Sequence, residues 1–485
     1  MKIRVLFLLT VLVLTACSKI DNPMEKVTPT SGSTPTSTPT PPKVAPTITL
    51  NLDGHFFIND KPFFIAGSAA SSIATITSGA PVTITSSDES VVSIDGSGNI
   101  VPVAPGTATI TIAVRENLAF TAATKTVTIV VGSNTEYIAQ NGDEISGVVP
   151  NTMHISIADE AVVHLKNATI QPTTGTATAA IICLGNATLI LEGENIAKGM
   201  ENKSGIQAGP AGKTLIIDGT GAIEAQCLAS DEADYTAAAI GSSKSGSCGS
   251  IKIKNGIINA KAGSGAAIGS GANGSCEDII IENGTVVAKV EQIDNKTGAG
   301  IGSGREGACG NITITGGNVT ATTQRILGGF GHPWSAGIGS SGDDSSCGNI
   351  LISGGTVIAK CHAGGAGATG GAAGIGTGSS LTDGKNQTCG NITISGGDVT
   401  ATSFMNSAGI GLGHCKAGNV TIGNINISGG KVYAIGTSDD IGKGPGGAAT
   451  ITIGTVTVAP APAVTWDNDG TKGYTPTATG YNRVP

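Results

Sequence analysis

The residues with usable chemistry are concentrated in glycine-rich turns. In Ala299–Thr322, AGIGSGREGACGNITITGGNVTAT, the run Gly300-Ile-Gly-Ser-Gly304 has the look of a phosphate loop. In the same stretch Cys309 has the look of a nucleophile, and Arg305-Glu306 is a charged pair in a loop. Paired acids, the raw material of glycosidases and calcium sites, occur at Asp343-Asp344, Asp231/Asp234 and Asp439-Asp440, with single acids at Asp294 and Asp383. The longest variable loop, Thr323–Ser335, carries Arg325, Phe330, His332 and Trp334. Its aromatic rings suit stacking against sugar faces, and its arginine suits a uronate carboxylate.

These residues must be read against an internal repeat. Ala-x-Ile-Gly recurs with its isoleucine at 240, 268, 301, 338, 375 and 410, at spacings of 28, 33, 37, 37 and 35 residues. Each unit continues with a block such as Cys309-Gly-Asn-Ile-Thr-Ile314, a turn pair (Asn255-Gly256, Gly316-Gly317) and a third block such as Val319-Thr-Ala321. Three short β-segments per unit describe coils of a right-handed parallel β-helix, each burying its inner face only by stacking on its neighbours. Period-2 alternation turns Ile312, Ile314, Val319 and Ala321 inward, and Asn and Gly exchange in the turn pair because both tolerate the φ > 0 that the backbone there is expected to demand.

The repeat removes much of the apparent chemistry. One nucleotide site does not need six copies of its loop, and here a strand follows the glycines where a dinucleotide fingerprint needs a helix. Cys248, Cys276, Cys309, Cys347 and Cys389 fall eight to fourteen residues after the repeat isoleucine and form a structural ladder, while Cys415 falls early. Stacked strands hold such residues about 4.8 Å apart, wider than the Cβ separation of a disulfide, so free buried thiols are favoured. Asp343 and Asp344 are the candidate metal ligands, with calcium the ion they would take. No acids recur at outward positions of neighbouring coils to support it, and a solvated turn is the favoured reading. No cofactor is expected. His332 and His414 lack a carboxylate neighbour in sequence, and catalysis as a lyase or glycosidase is the least favoured function. Arg305-Glu306 is left as the pair able to meet a ligand, and Arg325, Phe330, His332 and Trp334 as the binding residues.

Composition agrees with an all-β chain. Glycine contributes 74 of 485 residues, charged residues only 13%, and β-branched residues dominate. A net charge of −8 and 3% aromatics exclude a basic, stacking nucleic-acid surface. Lys2 and Arg4 precede an apolar run to Val13, too short for a permanent span. Leu14-Thr15-Ala16-Cys17 resembles a bacterial lipobox, which implies cleavage before Cys17, lipid attachment there and an outer-membrane, surface-exposed location. Residues 18–45 are a Pro/Thr/Ser-rich tether.

Residues 46–132 read as a separate all-β unit. Tight-turn chemistry stands at Asp95-Gly96 and Gly98-Asn99, before the alternating run Thr107–Val114. The order resembles group-2-type bacterial Ig-like domains (Big2), with Ile84 near the place of the usual tryptophan; the resemblance implies a β-sandwich that acts as a spacer or adhesion module. Residues 134–445 are similar to a family of extracellular β-helix proteins described as carbohydrate-binding domains, and residues 446–485 are expected to give a last coil and a cap. That similarity implies a non-catalytic lipoprotein binding polysaccharide, acidic in some relatives. The alternative is an adhesin for host protein or glycan, with the solenoid as a display arm.

Overall fold

The computed structural model describes residues 41–485 apart from 177, 228–235, 293–296, 326–334, 362–369, 381–383, 405, 438, 444–449 and 468–470. Among these residues the secondary structure is entirely β. From Glu136 onward the chain winds as a parallel solenoid, and from the Cys248 coil onward four strand columns run along its length. One column stacks the Ile-Gly segments from Ile206–Gln207 to Ile441–Gly442, and a short one runs from Ser247–Cys248 to Thr450–Ile453. The third stacks Ser250–Ile253, Ile279–Ile281, Ile312–Ile314 and their successors, and the fourth stacks Ile257–Ala262, Thr285–Gln292, Asn318–Arg325 and theirs.

Alternation places the core as the pattern demands: Ile301, Ile312, Ile314, Val319 and Ala321 are all buried, as are their counterparts on neighbouring coils. The expected three segments per coil are four. Cys-Gly-Asn-Ile-Thr-Ile bends at its glycine, which separates a cysteine segment from the Ile-Thr-Ile strand. The bend is held by a side-chain ladder: the Asn349 amide donates to Asn311 Oδ1 at 2.9 Å, Asn391 to Asn349 at 2.8 Å and Asn424 to Asn391 at 2.8 Å. The preceding glycine makes room for it, since a Cβ on Gly390 would lie 2.7 Å from Asn349 Oδ1. In the turn pair only the second residue has positive φ (Gly317 81°, Gly355 83°). At the first position glycine answers crowding instead, a Cβ on Gly316 falling 2.4 Å from the Glu282 carbonyl.

Residues 44–132 carry a second core around Ile73, Val92, Ile100, Ile110, Ile112 and Ile129. Gly106–Val114 pairs antiparallel with Val82–Ser86 and Ala123–Gly132, and Asp95 Oδ1 accepts the Ser97 and Asn99 amides in a tight turn. A hairpin within this segment serves both cores. Phe56–Ile58 pairs antiparallel with Glu144–Val148 of the first coil and puts Phe56, Ile58 and Phe63 into the solenoid core, while Phe64 stays in the other. Gly147 permits this docking: its φ is 79°, and a Cβ would strike the His55 carbonyl at 2.3 Å. At the far end Gly480–Arg483 pairs antiparallel with Ile441–Gly442 and with Tyr474–Pro476. Both ends of the solenoid are thus covered, as an exposed stack of strand edges requires.

Candidate functional site

The Ile-Gly-Ser run is a stacking device. Gly302 has φ 137°, and a Cβ there would meet the Gly339 carbonyl at 1.9 Å. The amides that a phosphate would need are already bonded: Ser303 N–H donates to the Gly339 carbonyl at 3.1 Å, and Gly304 N–H to Ser270 Oγ at 2.9 Å. The buried hydroxyls repeat this from coil to coil, Ser341 N–H donating to Ser303 Oγ at 2.9 Å and Gly413 N–H to Thr377 Oγ1 at 2.9 Å.

The neighbouring corner gathers charge from three coils and corrects two sequence readings. Asp343 is not solvated; its side chain is fully buried, accepting from Ser380 Oγ at 2.6 Å and facing the Arg305 guanidinium at 3.4 Å. Arg305-Glu306 is therefore engaged within the fold: Glu306 reaches Arg305 at 3.4 Å and Lys385 at 3.9 Å. Asp344 stays outside, accepting from Lys385 Nζ at 2.6 Å and the Asn386 amide at 2.8 Å. Burial pushes its carboxyl up, but that amide and the ammonium outweigh the effect and hold it below the usual range. Glu306, Asp343 and Asp344 all sit in the left-handed region (φ 43–52°). Among the described residues no three His, Cys, Asp or Glu side chains converge to hold a metal ion.

Cys17, Phe330, His332, Trp334, Asp231, Asp234, Asp294 and Asp383 lie outside the described residues, and Arg325 is described only in its backbone, at the end of Asn318–Arg325. The roots of the Thr323–Ser335 loop are fixed by buried hydroxyls. Thr323 Oγ1 donates to the Ser335 carbonyl at 3.1 Å, and Ser335 Oγ donates to the Thr297 carbonyl at 2.7 Å. Asp439 and Asp440 belong to the C-terminal cap: Asp439 accepts from Thr477 and Thr479, and Asp440 from Arg483 Nε at 3.0 Å.

The other tryptophan builds a surface that the sequence reading passed over. On the fourth column, period-2 alternation buries Val432 and Ala434 and turns Lys431 and Tyr433 outward, beside Asp398 and Thr400 of the preceding coil. Val464–Thr465 pairs with Gly430–Lys431 and delivers Trp466 next to Tyr433, their ring centroids 6.2 Å apart at 47°. Together Asp398, Thr400, Lys431, Tyr433, Trp466 and Asp467 line a groove of about 400 Å³. The Arg483 guanidinium lies 4.8 Å from the Tyr433 centroid and 5.7 Å from that of Trp466, and Lys472 Nζ lies 5.3 Å from the indole. Asp467, next in the chain, accepts the Thr471 and Lys472 amides at 3.0 and 2.9 Å and the Thr471 hydroxyl at 2.8 Å. Those bonds outweigh the upward push of desolvation and hold its carboxyl below the usual range. The signals were present in sequence, in a tryptophan before the turn Asp467-Asn-Asp-Gly470 and in the outward positions of GKVYAI, but their meeting depends on strand pairing.

The five ladder cysteines stand opposite one another on successive coils, Cys248 with Cys276, then Cys309, Cys347 and Cys389. The column then continues with Ile422 and Ile453, while Cys415 lies off it.

A family model described as a β-helix repeat matches residues 279–305, 312–342 and 392–414. These are stretches of the solenoid wall. No curated protein and no solved structure matches the chain.

Proposed function

We propose that this chain is a non-catalytic, polysaccharide-binding lipoprotein of the cell envelope. In this reading it is anchored through Cys17, held off by its Pro/Thr/Ser tether and an Ig-like spacer, and presents a parallel β-helix to its ligand. The matched β-helix repeat supports the scaffold. The observation that carries binding is the groove at Tyr433 and Trp466. Two half-buried aromatic rings offer a sugar an apolar surface, and Lys431, Lys472 and Asp398 stand beside them as polar partners. A chain of sugars can continue along the outer wall, where Thr400, Ile358 and Thr320 follow Tyr433 in register on earlier coils.

The electrostatics favour binding over hydrolysis. A glycosidase needs one carboxyl raised enough to stay protonated as general acid. Asp467 is shifted the other way, and Asp398 is paired with Lys431 at 3.5 Å. The test is affinity electrophoresis through gels carrying acidic or neutral polysaccharides. Retention by at least one of them is expected, with Trp466→Ala weakening it tenfold or more. Equal retention of Trp466→Ala would remove the groove, and no retention on any polysaccharide would remove the function.

A further inference from the structure

The cysteine column is more than small hydrophobic filling. Its last two positions are Ile422 and Ile453, so the packing at this corner accepts an isoleucine, yet five consecutive coils place a thiol there. We propose that the column is an oxidation site in which Cys347 and Cys389 become an inter-coil disulfide, leaving Cys248, Cys276 and Cys309 as thiols.

The geometry singles out one pair in the column. In-register parallel neighbours stand about 4.8 Å apart, within the Cα separation that disulfides span. Ideal stacking would hold the Cβ atoms equally far apart, too wide for a bond, so a pair can close only where two side chains rotate toward each other. Cys347 and Cys389 have done so, their sulfurs 2.9 Å apart. Cys276 and Cys309 turn to backbone acceptors instead, Cys276 donating to the Gly249 carbonyl at 3.6 Å and Cys309 to the Gly310 carbonyl at 3.2 Å. One of the four junctions of the ladder thus differs from its neighbours, although the backbone register is uniform.

The chemistry balances with a hydroperoxide as oxidant. One thiol of the pair takes an oxygen from hydrogen peroxide and releases water as it becomes a sulfenic acid. The partner sulfur then displaces the hydroxyl as a second water, and the S–S bond forms. The pair loses two hydrogens, and one peroxide becomes two waters. Hydrogen bonding to Cys389 and burial both push the Cys347 thiol up. Thiolate is therefore scarce at neutral pH and the reaction slow, which suits a lasting staple between coils and not a rapid sensor.

The test treats the full-length protein with hydrogen peroxide, alkylates it under denaturing conditions and maps its peptides without reduction. Two of the nine buried thiols should be lost, in the link 347–389, with Cys248, Cys276 and Cys309 alkylated. Tm should rise by on the order of 5 °C or more and return on reduction. Cys347→Ser should remove the link, and Cys309→Ala should leave it in place. Nine alkylated thiols after oxidation, links through Cys309, or sulfonic acids without links would overturn the proposal.

Discussion

Single side chains finish both ends of the solenoid. At the C-terminal end the Tyr474 hydroxyl donates to the Val432 carbonyl at 2.7 Å and accepts the Ala434 amide at 3.0 Å, taking the place of a further strand beside Gly430–Ile435. At the N-terminal end the Tyr137 hydroxyl donates to Asp143 at 2.9 Å, and its ring packs edge-on against Phe56 and Phe63. Burial pushes both phenols above their ordinary range, with Asp143 adding to the effect at Tyr137. A phenol whose folded value is raised keeps its proton in the folded state. Its contribution is present below the unfolded value of about 10 and is lost as pH rises beyond it. Absorbance titration should show Tyr137 and Tyr474 ionising above the ordinary range of a phenol, with Tm declining over that alkaline range. Tyr474→Phe should remove one late-titrating group and lower stability by about 1–3 kcal/mol, the cost of leaving buried backbone groups unpaired. Ionisation of Tyr474 in the ordinary range of a phenol would show that it does not hold the end.

At the scale of the strand, the join between columns is where the repeat is least tolerant. The asparagine ladder gives each coil a side-chain acceptor for the next coil's amide, and the glycine before it leaves no space for a Cβ. Asn349→Ala should cost about 1–2 kcal/mol, since it strands the Asn391 amide. Gly390→Ala should cost more, because its Cβ meets both Asn349 Oδ1 and the Gly348 carbonyl carbon at 2.7 Å, and the backbone cannot swing aside. Urea unfolding of the two variants checks the order; an Asn349→Ala loss exceeding that of Gly390→Ala would reverse this account of the bend.

Over the whole molecule, the solenoid is a stack whose ends would each present open strand edges and an apolar cross-section. The Phe56–Ile65 hairpin covers one end and the Tyr474–Arg483 hairpin the other. Deleting residues 474–485 should uncover Ile441–Gly442 and the Val432–Ala434 backbone and drive end-to-end association, seen as larger species in light scattering than the full chain gives under the same conditions. An unchanged mass would mean that the cap does not guard against self-pairing.

The repeat, the inward isoleucines and the cysteine spacing were legible in the sequence because a solenoid is nearly one-dimensional: each position repeats its environment from coil to coil, so periodicity alone reports burial. What breaks the period was not legible. The Phe56–Ile65 hairpin lies some 80 residues from the strand it covers, and nothing local separates its phenylalanines between two cores. Trp466 joins Tyr433 through a strand pairing of only two residues, too short to leave a pattern. Asp343 looked like a solvated turn because charge in a glycine-rich loop reads as exposure, until Arg305 from the previous coil and Ser380 from the next enclosed it. The sequence by itself determined the wall of this protein; the tertiary structure decided its two ends, its charged corner and its groove, because each depends on side chains from different coils meeting at one point.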